Sequence, residues 1–172
     1  MNTSPNVSAP GLSDSVNKRN VTLASSVELA GRFLLGLLFL LSGLGKLGAY
    51  GATAAYMSAT GVPGACLPAV IATEVFGALA IVLGWKTRVV AFLLAGFSLL
   101  TALTFHNNFA DQTQMIMFLK NLSIAGGFLL LLANGAGPLS LDRRSAKKGL
   151  ALEPTPQASQ GEARNFSPDE VQ

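Results

Sequence analysis

Glu28, Arg32, Lys46, Glu74, His106, Lys120 and Asn121 lie inside, or at the ends of, otherwise apolar stretches of the chain. A charge at the centre of a membrane helix costs about 2.5–3.5 kcal/mol on insertion scales, so such groups usually face one another or a hydrated cavity. Glu74 and Lys120 form the sharpest constellation: a carboxylate and an ammonium that can pair, bind a small polar ligand or relay a proton. Asn121 adjoins Lys120, and Lys46 and His106 are expected nearer the mouth of the same pocket. The competing reading is a buried bridge that only fixes helix packing, because structural ion pairs also occupy interiors.

Glu28 and Arg32 form a second candidate set, spaced i, i+4 with the acid first, the better order for a helical pair. Two readings stand, a local ion pair with Arg32 snorkelling and an Arg32 that lines an internal cavity. Gly36 and Gly43 follow on the Arg32 side and give a groove where another backbone can approach closely. Ala91 with Ala95, and Ser123 with Gly127, have the small-residue spacing of tight helix packing.

Some chemistry is excluded. One cysteine, Cys66, allows neither an intrachain disulfide framework nor a multi-cysteine metal or iron–sulfur site. One histidine, His106, cannot supply two-histidine haem ligation, and no metal site is expected. Gly43, Gly45 and Gly48 match GxGxxG literally, but that motif requires a preceding strand and a βαβ unit.

The elements that must position these residues are four apolar windows, Val27–Leu47, Leu67–Trp85, Val89–Phe105 and Met115–Asn134. Each has the length of a membrane-crossing helix, about 17 to 25 residues. The fold class expected is all-α: a four-transmembrane-helix bundle over 27–144, with disordered tails at 1–26 and 145–172. Only 12% of residues are charged and half are hydrophobic, against about 25% charged in soluble domains, which makes lipid the solvent. The net charge of +3 is spread along the chain, so no nucleic-acid-binding face is expected. Lys18 and Arg19, Lys86 and Arg88, and the basic residues from Arg143 to Lys148 fall on one side, so both termini are expected in the cytoplasm. In that topology Glu74 and Lys120 lie roughly 10 Å and 8 Å below the outer ends of their helices, at nearly equal depth.

The stretches Arg32–Lys46, Gly61-Val62-Pro63, Glu74 with Gly84 and Arg88, Phe105-His106 and Phe118–Arg144 carry a family resemblance. Over residues 27–144 the sequence resembles the DoxX family of small four-helix bacterial inner-membrane proteins, close to its YphA-like branch. The resemblance implies the bundle fold and a multi-pass location in the inner membrane. It also implies a quinone-linked oxidoreductase, or an accessory subunit of a membrane redox complex. A quinone is the cofactor class expected, with nothing bound covalently. Redox-enzyme partners and a homo-oligomer are expected beside the lipid bilayer. Two other readings stand, a non-catalytic membrane scaffold for soluble redox enzymes and a small oligomeric transporter or proton path using Glu74 and Lys120.

Overall fold

The computed structural model describes the backbone of residues 10–150 and the side chains of residues 18–148. Six α-helices are present among the described residues: α1 Pro10–Gly48, α2 Tyr50–Ala59, α3 Leu67–Leu83, α4 Thr87–Phe105, α5 Gln112–Asn134 and α6 Leu141–Leu150. A single 3₁₀ turn, Gly64–Cys66, precedes α3. Four segments are long and apolar enough to cross a membrane: Lys18–Gly48, Gly64–Leu83, Thr87–Phe105 and Gln112–Asn134. The fold is a four-span helical bundle.

Local sequence explains the helix limits. Pro68 sits in the first turn of α3, where its missing N–H has no helical acceptor to lose. Gly84 ends α3 in the left-handed region (φ 68°). Asp111 caps α5, its side chain accepting from Thr113 N at 2.7 Å and Gln114 N at 3.4 Å.

Two expectations about the tails are corrected. Residues 10–26 are helical, the opening turns of α1, and residues 18–24 are exposed. Thr22, Ser25 and Ser26 return their hydroxyls to the i−4 carbonyls, which keeps polar side chains compatible with a continuing helix. Residues 145–150 likewise complete α6. The rest of the two predicted tails, 1–9 and 151–172, lies outside the described residues.

The spans pack chiefly as two pairs, α1 on α3 and α4 on α5, joined through α3 and α4. Glycine sets the first pairing. A Cβ on Gly36 would stand 2.5 Å from Val82 Cγ2, and one on Gly43 would stand 2.8 Å from Val75 Cγ2. The groove that the sequence places beside Arg32 is therefore filled by α3. Small residues do similar work elsewhere: Ala78, Ala91, Ala95 and Ala125 are buried with Phe39, Ile81, Leu94 and Phe128 in the central core. A second cluster of Met57, Leu67 and Ile71 fastens α2 to the start of α3. Large apolar side chains such as Leu34, Phe76, Phe92, Leu100 and Leu130 point outward, as a lipid-facing surface requires.

Candidate functional site

Where the end of α1 meets the middle of α3, α2 crosses over the seam between the two helix pairs. A cavity of about 290 Å³ lies beneath it. Every membrane span contributes to its wall: Phe39, Ser42 and Lys46 from α1, Val70 and Glu74 from α3, Phe97, Thr101 and Phe105 from α4, and Asn121 from α5. His106 adds the rim beyond α4, and Thr53, Tyr56 and Met57 of α2 cover the top.

The polar centre of the cavity is an ion pair. Lys46 Nζ lies 2.8 Å from Glu74 Oε1 and 2.9 Å from Oε2. It also donates to Ser42 Oγ at 2.7 Å, and Ser42 donates in turn to Glu74 Oε1 at 3.1 Å. All three ammonium protons are thereby used, while the carboxylate, with about four acceptor positions, keeps one free. The Glu74 side chain is 6% exposed and that of Lys46 26%, so the pair is largely removed from solvent. The local cause lies in α1. Ser42 and Lys46 are one turn apart, side chains lean toward the helix N-terminus, and Gly43 lets α3 come close enough to bring Glu74 under them.

The expected Glu74–Lys120 pair is not formed. Lys120 is exposed on α5 and does not line the cavity, and Lys46 takes its place opposite Glu74. Depth along a helix does not fix azimuth: one residue is about 100° of rotation, and Asn121 holds the inward position. Asn121 Nδ2 donates to Met117 O at 3.0 Å and its Oδ1 accepts from Thr101 Oγ1 at 3.5 Å. His106 Nδ1 lies 2.8 Å from Gln114 Oε1; with Nδ1 donating, Nε2 is the ring's free acceptor. Glu74, Lys46, His106 and Asn121 thus share one cavity, and Lys120 stands outside it.

Sequence reasoning missed Ser42, Thr101 and the whole of α2. Ser42 carried a signal, its i−4 spacing from Lys46. Tyr56 carried none, because α2 is too short to register as a membrane window. Its ring stacks on Phe105 at 5.8 Å between centroids, closing the cavity on that side.

The opposite end of the bundle is built differently. No Glu28–Arg32 ion pair closes: among the described residues the salt bridge within 4 Å is Lys46–Glu74. Arg32, 1% exposed, instead donates to the carbonyls of Val82 at 3.3 Å and Ile81 at 3.5 Å, and to Leu139 O. The first two carbonyls belong to the last turn of α3, where the helix runs out of amide donors; Ile81 O also accepts from Gly84 N at 3.1 Å. Arg32 therefore ties α1 to the end of α3 and to the segment after α5, and Glu28 packs against Gly137. Asp142 completes the knot, with Oδ1 accepting from Lys86 N at 2.7 Å and Oδ2 from Thr87 N at 2.9 Å. Desolvation pulls its carboxyl upward, but these amides and the nearby Arg32 charge outweigh that effect and hold its pKa below the ordinary carboxylate value. Arg32 is accordingly a structural cation, and it does not line the cavity.

Four apolar spans enclosing a small amphipathic cavity with a shielded ion pair define a polytopic α-helical membrane protein with a built interhelical site. The DoxX family profile matches residues 27–107. An inner membrane protein of Escherichia coli K12, YqjF, is 51% identical over 120 residues, covering 70% of this chain and 92% of the relative. A second, YphA of the same organism, is 42% identical over 124 residues, covering 67% of this chain and 88% of the relative. The chain belongs to the DoxX family and is an integral, multi-pass protein of the inner membrane. No solved structure matches it significantly.

Proposed function

We propose that the cavity binds the head group of a quinone-class ligand, and that the protein is a quinone-linked oxidoreductase or an accessory subunit of a membrane redox complex. The observation that carries this reading is the shielded Lys46–Glu74 pair set among the rings of Phe39, Phe97, Phe105 and Tyr56. A flat, neutral ring with oxygen at its edge needs aromatic faces above and below it and a polar group at one end. At about 290 Å³ the cavity sits at the small end of the range for ligand sites (about 300–1,000 Å³), which suits one or two rings with the tail left in the lipid.

When bound, a quinone supplies the electron-carrying chemistry. The chain's own residues orient the ring and manage protons around it. Lys46 offers hydrogen bonds to a ring oxygen by releasing one that it gives to Ser42, and the free acceptor position of Glu74 takes a proton donor. No cluster of three or more His, Cys, Asp or Glu suited to a metal occurs among the described residues. In this reading electrons come from a partner enzyme or a bound cofactor. Lys18 and Arg19 early in α1, Lys86 and Arg88 between α3 and α4, and the basic residues of α6 support an orientation with both termini in the cytoplasm and the cavity in the outer half of the membrane.

The test is quinone content. Protein purified in lipid nanodiscs is extracted, its quinone is measured against the lipid background, and a short-chain quinone is titrated by calorimetry. Enrichment with saturable binding, lost in Glu74→Gln and weakened in Phe97→Ala, supports the reading. Background quinone content together with no saturable heat rejects it.

A further inference from the structure

α6, Leu141–Leu150, reads LDRRSAKKGL and is not part of any span. It is too polar to enter the bilayer, yet it is held in place rather than trailing from the bundle. Ser140 Oγ accepts from Arg143 N at 3.2 Å and caps its first turn, and Asp142 N donates to Gly84 O at 2.9 Å. The Asp142 carboxylate meanwhile grips Lys86 N and Thr87 N in the α3–α4 turn.

These tethers fix which way the helix faces. At about 100° per residue, Arg143, Arg144, Lys147 and Lys148 fall within an arc of about 140°, and Asp142 lies roughly opposite the centre of that arc. The side fastened to the bundle is therefore the Asp142 side, and all four cations are exposed. Among the described residues α6 carries no acidic group on the cationic arc, and none of the four cations forms a salt bridge. α6 also starts only a few residues after α5 leaves the membrane, at the level of Lys86 and of Trp85, whose ring Lys86 covers at 5.7 Å. An interfacial tryptophan marks the headgroup region.

We propose that α6 is a docking surface for anionic phospholipid headgroups. Charge complementarity and position select the occupant: four cations on one face of a fixed helix stand where the adjacent span leaves the lipid, and each cation near an anionic surface contributes about a fivefold gain in binding. The contact orders α6 against the membrane and, through Asp142, connects lipid charge to the α3–α4 turn.

The full chain is reconstituted into vesicles of phosphatidylcholine alone and into vesicles also containing phosphatidylglycerol, and amide hydrogen exchange is read across α6. Exchange is expected to slow severalfold when phosphatidylglycerol is present, and the effect is expected to vanish at high salt. In a variant carrying R143Q, R144Q, K147Q and K148Q the two vesicle types should give the same exchange. Native mass spectrometry of the unaltered chain provides a second readout, with phosphatidylglycerol retained in preference to phosphatidylcholine and lost in the variant. Equal exchange in both vesicle types without lipid preference overturns the proposal. So does protection of α6 only when an acidic soluble protein is added, which would make the face a protein contact.

Discussion

Replacing Glu74 by Gln removes the charge that holds Lys46 and keeps the shape. The ammonium then faces an amide in a cavity where only 26% of its side chain reaches solvent. Breaking a fully buried pair from one side costs about 3–5 kcal/mol, and an exposed pair is worth about 0–1 kcal/mol. With Glu74 nearly covered and Lys46 partly open, a loss of about 2–3 kcal/mol is expected for Glu74→Gln alone. Lys46→Met alone should cost a similar amount, because it leaves the carboxylate with only Ser42 as a partner. The double variant should recover much of the loss, giving a coupling of at least about 1 kcal/mol in a double-mutant cycle. The assay is reversible unfolding in mixed micelles or bicelles, followed by circular dichroism. Lys120→Met supplies the internal control: it should be nearly silent and additive with Glu74→Gln, since Lys120 is outside the cavity. Coupling of Glu74 to Lys120 with additivity toward Lys46 would falsify the assignment of the pair.

Asp142→Asn should destabilise the α3–α4 turn by about 1 kcal/mol, seen as faster amide exchange at Lys86 and Thr87. Because the folded pKa of Asp142 is depressed, its contribution is present above the unfolded value near 4 and is lost as pH falls through the lower folded value. The turn's exchange in unaltered protein should therefore accelerate only below about pH 4. Gly84→Ala should cost more than about 1–2 kcal/mol, since the left-handed backbone at φ 68° disfavours a Cβ and that Cβ would overlap the Arg32 guanidinium and Ser140; a smaller shift in unfolding midpoint would contradict the packing described. Cys66 is exposed in the turn before α3, so a membrane-impermeant maleimide should label it in intact spheroplasts. Labelling only after lysis reverses the proposed orientation.

Hydropathy and length run along one dimension, and so the four spans are legible in the sequence to within a few residues at most ends. The start of α1 is the exception, because the serine- and asparagine-rich stretch before Val27 has no apolar face to announce a helix. The Gly36–Gly43 groove is legible too, since only glycine lets two helices approach at that distance. Azimuth is not legible. Depth placed Glu74 level with Lys120 and put Lys46 nearer the mouth, but the pairing depended on which face of α5 turned inward, which neighbouring side chains decide together. Arg32 was hidden for a related reason: its acceptors are backbone carbonyls at the end of α3 and after α5, and carbonyls leave no mark in sequence.

The two shielded cations show why the chemistry belongs at one end of the bundle. Arg32 has five donors in a planar fork; its terminal nitrogens reach carbonyls at the end of α3 and after α5, and its Nε is buried without a partner. Every hydrogen-bond partner it has there comes from the chain itself. Lys46 has three donors on a flexible stem, and its carboxylate partner retains an acceptor position that faces open volume. Packing against the end of α3 and the segment after α5 accounts for the terminal nitrogens of Arg32. Packing does not explain why a carboxylate and an ammonium border a cavity walled by aromatic rings, where apolar side chains of equal volume would stabilise the bundle as well or better. That contrast is what supports the proposed ligand at the Lys46–Glu74 end rather than at Arg32.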